Sequence, residues 1–175
     1  MSYSIEPAYT MVMELSRQLV RASTSTENQW FFPEKGFSAA SLDHGGNFYL
    51  NENFVVICKK RIVAYFEAHW ARPLNNIHNF RLILFDKHRS LEATRAFFDY
   101  LDYLFMTRGC QVFSWSVAEK NAHALCLYEK FIRKYCGHGI GKRTRSFLGY
   151  SGEISDTIMY ELTREEYLAW KDRKK

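Results

Sequence analysis

After three strand-like runs the hydrophobic pattern changes from period two to period 3.6 near residue 86, and that change is what most limits the folds open to this chain. Before it come three β-branched and aromatic runs, FVVICKK (54–60), RIVAYFEAHW (61–70) and IHNFRLILF (77–85). Such composition marks strands, and the junction at Lys59 to Arg61 predicts a hairpin. With the connection at residues 72 to 75, the three runs read as an antiparallel meander. After residue 86 the apolar positions fall at helical spacing. Leu91, Phe97, Phe98, Leu101, Leu104 and Phe105 make one stripe, with Ser90 as N-cap, Arg108 in the last turn and Gly109 as the stop. QVFSWSV (111–117) then reads as a buried strand, and Asn121 opens a further helix to about Lys134. RSFLGY (145–150) and TIMYEL (157–162) read as two closing strands. Thr163 with Glu166 forms a capping box for a last short helix ending near Trp170. Upstream, Met11, Leu15 and Leu19 predict a first helix that the polar stretch Ser23 to Asn28 ends. Residues 30 to 51 are aromatic, glycine-bearing and irregular, as loops that line a site often are. The expectation is a mixed α/β domain with one central sheet and an antiparallel meander, flanked by helices.

A chain of 175 residues with 47% hydrophobic side chains, nine Gly and three Pro is expected to form a single packed domain over 1–175. The four cysteines, Cys58, Cys110, Cys126 and Cys136, lack C-x-x-C spacing, and no charged-then-apolar leader opens the sequence. A reduced, cytoplasmic setting is therefore expected. No apolar run approaches the roughly 20 residues needed to span a bilayer. The net charge of +5 favours anionic partners, although only the KDRKK tail clusters it, and such a tail reads as solvated. Cys136-x-His138 lacks the second ligand pair of a zinc site, so no metal is expected. Nucleophile-elbow, Walker and RNA-binding motifs do not occur, which argues against nucleic acid as a partner. A monomer or homodimer is expected.

The stretch NAHALCLYEKF (121–131) places one phenol, Tyr128, among apolar positions at helical spacing, where it either fills a core or moves a proton. Asn121, Ala124, Leu127, Tyr128, Glu129, Lys130 and Phe131, preceded by an apolar strand, resemble the fourth-helix signature of GNAT-type N-acetyltransferases. GlyLysArg at 141 to 143, the turn TyrSerGlyGlu at 150 to 153, Asp156 and LeuThrArgGluGluTyr at 162 to 167 are similar to the tail of the branch containing the ribosomal-protein alanine acetyltransferases. The resemblance covers roughly residues 53 to 168.

That resemblance implies a GNAT-like fold and an acetyltransferase that moves an acyl group from acetyl-CoA, its cosubstrate, or another acyl-CoA. The acceptor would be an amine, a protein N-terminus or a small amine, attacking the thioester directly. It implies that the strands at Ile77 to Phe85 and Gln111 to Val117 are parallel neighbours that splay, the pantetheine arm bonding strand backbone at Leu82, Ile83 and Leu84. Tyr128 would then be the acid that meets the departing sulfur, and Asn121 either caps its helix or bonds the ligand. In FDKHRSLEATRAFF the pyrophosphate contacts would fall to Lys87, His88, Arg89, Ser90 and Arg95. Glu92 and Thr94 stand where the family's loop has glycines. Either Glu92 points outward with the neighbouring basic residues compensating, or the site has lost ordinary CoA binding. For the base, Glu67 and His69 share one strand face and His78 opens the next strand; Ser116 either orders a water or packs. The alternatives are a non-catalytic binding module of the same fold and an acyltransferase with a non-CoA donor.

Overall fold

A computed structural model describes residues 2–23, 51–71, 74–85, 90–149 and 152–174. In chain order the elements are β1 (Tyr3–Pro7), a 3-10 turn (Ala8–Met11), α1 (Val12–Ser23), β2 (Asn51–Cys58), β3 (Arg61–Ala71), β4 (Asn76–Leu84) and α2 (Ser90–Asp102). There follow a π-helical turn (Tyr103–Thr107), β5 (Val112–Ala118), α3 (Ala122–Lys134), β6 (His138–Leu148), β7 (Ile154–Thr163) and α4 (Arg164–Asp172). The described strands form one seven-stranded sheet in the order β1-β2-β3-β4-β5-β7-β6. Every neighbouring pair is antiparallel except β4 with β5. A parallel pair cannot be joined by a tight turn, so the chain crosses over through α2 to reach β5.

Local chemistry accounts for the boundaries. The β2–β3 hairpin turns on Lys59 and Lys60, with φ of 50° and 65°, two consecutive left-handed residues as a tight hairpin turn needs. Gly109, at φ 66°, stops the helical run after the π turn. The Asn121 side chain accepts from Ala124 N at the start of α3, and Thr163 and Glu166 form the reciprocal capping box of α4.

Helices cover both faces of the sheet. On one face Ala8, Leu15 and Leu19 pack on Val55, Ile62, Tyr65 and Ile83. On the other, the α2 stripe packs Phe97 and Tyr100 against Phe66 and Phe80, with ring centroids 5.4 to 6.2 Å apart. Phe131 of α3 extends this aromatic layer to Phe97 and Trp115. Burial of each such side chain stabilises the fold by about 1.5–3 kcal/mol, and the tilted ring pairs add to it. Of the four free cysteines, Cys58, Cys110 and Cys136 are buried and Cys126 is exposed. No helix among the described residues is long and apolar enough to cross a membrane.

The structure departs from the sequence reading at the sheet's edges. β1 was not expected: YSIEP is short and ends in proline, and it becomes a strand by pairing Tyr3 through Pro7 with Cys58 through Phe54. β6 begins at His138, well before Arg145, although HGIGKRT holds two glycines and few strand formers. Nearly all its side chains are exposed, so the backbone ladder with β7 makes it a strand, without the help of side-chain burial. The expected loop at residues 30 to 51 and the turn residues Tyr150 and Ser151 lie almost wholly outside the described residues.

Candidate active site

Along the parallel pair, Ile77 lies opposite Phe113 and Phe80 opposite Trp115, and no register partner follows. Both strands nevertheless continue. Arg81 through Leu84 remain paired with β3, and Ser116 through Ala118 remain paired with β7. The strands therefore part after Phe80 and Trp115, leaving their inner edges open. A bulge sharpens the divergence: Glu67 faces Arg81 and His69 faces His78, so Ala68 alone stands against Asn79 and Phe80.

A cleft of about 830 Å³ occupies this opening and draws on both faces of the sheet. Trp115, Tyr160, Asn121, Ala124 and Tyr128 line it on the α3 side. By strand alternation and cross-strand register, Ser114, Ser116, Met159 and Glu161 belong to the opposite face, where His69 and His78 also line it. Tyr128 packs its ring on Trp115 at 5.8 Å and on Tyr160 at 6.0 Å. Burial, helped by the adjacent Tyr160, pushes its phenol up to about 12, so it is protonated at neutral pH. Its hydroxyl makes no hydrogen bond to any described residue, whereas the buried phenol of Tyr167 bonds Asp102 at 2.8 Å and that of Tyr65 bonds Asn53 at 2.8 Å. The Trp115 indole N–H, in the same wall, is also buried without a partner among the described residues.

The same architecture occurs in solved structures of acetyltransferases. Spermidine N-acetyltransferase from Vibrio cholerae, solved in complex with CoA and spermine, superposes with a TM-score of 0.74 over 95% of this chain and 98% of its own, at 18% identity. The ribosomal-protein-S18-alanine N-acetyltransferase from Escherichia coli gives 0.68 over 93% and 94% at 15% identity. A GCN5-related N-acetyltransferase from Brucella melitensis gives 0.70 over 97% and 79% at 19% identity. The chain has the GNAT fold. No protein-family model matches it, and no curated protein matches it by sequence.

Within the GNAT fold the expected site residues do not all gather in one place. Tyr128, Asn121, Leu82, His69, His78 and Ser116 meet at the cleft. Glu67 stands behind it, bonded to His69 Nε2 at 3.1 Å and to Arg81 Nη1 at 3.2 Å. Ile83 turns its side chain into the α1 core and Leu84 packs on the main core, so these two offer the opening only backbone. Ser90 is the first residue of α2, and Arg95, exposed one turn later, exerts its charge on Tyr3 of β1. Lys87, His88 and Arg89 lie outside the described residues. Glu92 does not point outward: it is 5% exposed in the first turn of α2, a place where its charge favours the helix N-terminus.

Sequence reasoning missed Arg81, Glu161 and Arg143 as lining residues. Arg81 is aligned with Glu67 only because of the β4 bulge, which no period-two count shows. Arg143 falls in the GlyLysArg stretch, whose resemblance implies no role for it, and Glu161 alternates like any strand residue.

The two histidines carry usable tautomers. Ser114 Oγ donates its single proton to Ile77 O at 3.1 Å, so at 3.1 Å His78 Nδ1 donates to that oxygen, and Nε2 of the neutral ring is left as acceptor. His69 donates Nε2–H to Glu67 and keeps Nδ1. For Glu67 itself burial disfavours the carboxylate, but the His69 hydrogen bond and the positive charge of Arg81 outweigh that and hold its pKa below the usual range. A carboxyl lowered on folding contributes stability above its unfolded value of about 4.3 and loses it as pH falls through the folded value. Glu67→Gln is therefore expected to melt lower than the parent at pH 7, with the gap closing below about pH 4. A gap unchanged between pH 7 and pH 3.5 would show that the pair does not stabilise the fold.

Proposed function

We propose that the chain is an acyl-CoA-dependent N-acyltransferase, folded as one domain, that transfers an acyl group, in the first instance acetyl, to an amine. The single observation that carries this reading is the opening between β4 and β5, with the unpartnered Tyr128 hydroxyl on one side and His78 on the other. The arm of CoA is a chain of amides, and the open inner edges of Leu82–Leu84 and Ser116–Ala118 supply the donors and acceptors that such a chain needs. Asn121 has its carbonyl oxygen engaged by Ala124 N at 3.2 Å, so its amide N–H₂ is what remains to donate into the cleft. Lys87, His88 and Arg89, before α2, together with Ser90, provide the positive charge and helix start for the pyrophosphate.

The chemistry follows from the tautomers. His78 Nε2 takes a proton from the acceptor ammonium, the neutral nitrogen attacks the thioester carbonyl, and the carbon–sulfur bond breaks to release CoA thiol and an amide. A phenol raised to about 12 is a weaker acid than a thiol at about 8.5, so Tyr128 assists mainly by donating a hydrogen bond to the sulfur as negative charge develops there. Glu67 and Arg81 position His69 beside His78, its cross-strand neighbour. Spermine and the ribosomal protein are named for the similar structures; here the acceptor is proposed only as an amine.

Titration with acetyl-CoA and with CoA tests the reading. Saturable thermal stabilisation is expected, worth about 2.7 kcal/mol at a hundredfold excess over Kd. No response up to millimolar ligand would overturn it. The buried Glu92, in the helical turn where the family's loop has glycines, favours the two alternatives, an acyl donor without a pyrophosphate and a non-catalytic binding module. Asn121→Asp separates cap from ligand contact: melting temperature is expected to hold, because Asp caps as well as Asn, while CoA affinity falls several-fold. Equal affinity would make Asn121 a cap alone.

A further inference from the structure

Resting on the acyltransferase reading, we infer that the acceptor carries an anionic group, a carboxylate or a phosphate, beside its amine, and that Arg143 receives it. Arg143 lies in register with Thr157, which is in register with Ala118. Cross-strand partners share a face, so Arg143 belongs with Ser114, Ser116 and Glu161 on the face opposite Tyr128. It therefore lines the side of the cleft from which the amine would enter, away from α3 and Asn121.

Its charge is unspent. The adjacent Lys142 is clamped between Glu119 and Asp156 at 2.9 Å each, and Arg81 is bound to Glu67. Arg143 has no carboxylate partner among the described residues and still lines the cleft. Glu161 is the one carboxylate lining it among those residues, and it has His138 Nε2 at 3.9 Å. A cleft lined by an unpaired guanidinium, on the sheet face that also carries His69 and His78, suits an anion, which the planar guanidinium fork can grip with two parallel bonds.

The backbone that presents Arg143 is also fixed. The β6 ladder is interrupted between Arg143 and Phe147, where Arg145 adopts φ 45°. Arg145 N donates to Asp156 Oδ1 at 2.8 Å, and Ser146 Oγ bonds Arg143 O at 2.9 Å and Thr157 Oγ1 at 2.6 Å. The bulge is thus tied at three points, and the side chain at its start is presented from a rigid base.

Calorimetric titration of the CoA-saturated full chain tests the inference, with phosphoethanolamine, β-alanine and spermidine as probes. At least one of the two anionic amines is expected to bind, the stronger identifying phosphate or carboxylate, and spermidine is expected to bind more weakly or not at all. Arg143→Gln should weaken the anionic probe about tenfold or more without changing CoA affinity or melting temperature, and Arg143→Lys should restore part of the loss. Tighter binding of spermidine, silence of both anionic amines, or an unchanged Kd in Arg143→Gln would overturn the inference, as would a loss of CoA affinity in that variant. Failure of the parent reading is seen separately, as absence of CoA saturation, and the probes are then titrated on the free chain with the same criteria for Arg143.

Discussion

Tyr128→Phe is expected to slow acyl transfer about 100-fold while leaving melting temperature and CoA affinity within error of the parent. The argument rests on what the hydroxyl does in the structure. It bonds none of the described residues, so its removal deletes no partner and strands no buried group; the ring, packed on Trp115 and Tyr160, is kept. A structural tyrosine behaves otherwise. Tyr167, bonded to Asp102, is expected to lose about 1 kcal/mol as Phe with no change in rate per folded molecule. In the transition state a lone donor aimed at the departing sulfur is worth about 2.7 kcal/mol, which is the 100-fold quoted. Single-turnover rates at saturating acetyl-CoA, with any amine that is turned over, read the step directly. A Phe variant as fast as the parent would remove Tyr128 from the mechanism and leave a water as the proton donor.

Phe80→Ala is expected to cost about 3–5 kcal/mol and to lower the melting temperature by roughly 10 °C. Phe80 is 5% exposed and touches four rings, with centroids at 4.8 Å from Phe113, 5.4 Å from Phe97, and 6.0 Å from Phe66 and Tyr100. Transfer of the ring and the void it leaves both act against the variant, and a close-packed layer of five aromatics relaxes poorly around the gap. Phe80 is also the last β4 residue in register with β5, so CoA affinity should fall along with stability. Phe80→Leu, which retains most of the volume, should recover more than half of both losses. Melting of the Ala variant within about 2 °C of the parent would mean that the aromatic layer is far looser than its geometry implies.

The parts of this fold that burial dictates were legible in the sequence, and the parts that pairing dictates were not. β2 to β4, α2, β5 and α3 each have an apolar face whose period names the element, and the capping side chains of Asn121 and Thr163 marked their helix starts to the residue. β1 and most of β6 bury little, and hydrogen bonds to a neighbouring strand create them, which no local window contains. The site divides along the same line. Tyr128 and Asn121 lie on a strongly patterned helix, and the resemblance of that helix pointed to them. Arg81 and Arg143 depend on two bulges, each of which shifts the register by one strand position or more and changes which side chains meet. Glu92 shows the opposite case, a departure from the family's loop that the sequence displays but whose orientation only the packed helix could decide.

The parallel seam has a consequence for motion. Every residue of β5 from Val112 to Ala118 has a partner in β7, and β4 is paired with β3 through Leu84, yet β4 and β5 share only the register points at Ile77 and Phe80. The sheet is two well-laddered halves, β1 to β4 and β5 to β6, joined by a short run of backbone bonds and by the rings of α2 and α3 that straddle it. Local opening follows the weakest continuous line, so amides along the seam should exchange with solvent faster than those deep in either half. A ligand lying between the halves and bonding to both would splice the open edges into one ladder. Slowed exchange at Leu82–Leu84 and Ser116–Ala118 would then be the mark of an occupied cleft, whichever ligand fills it.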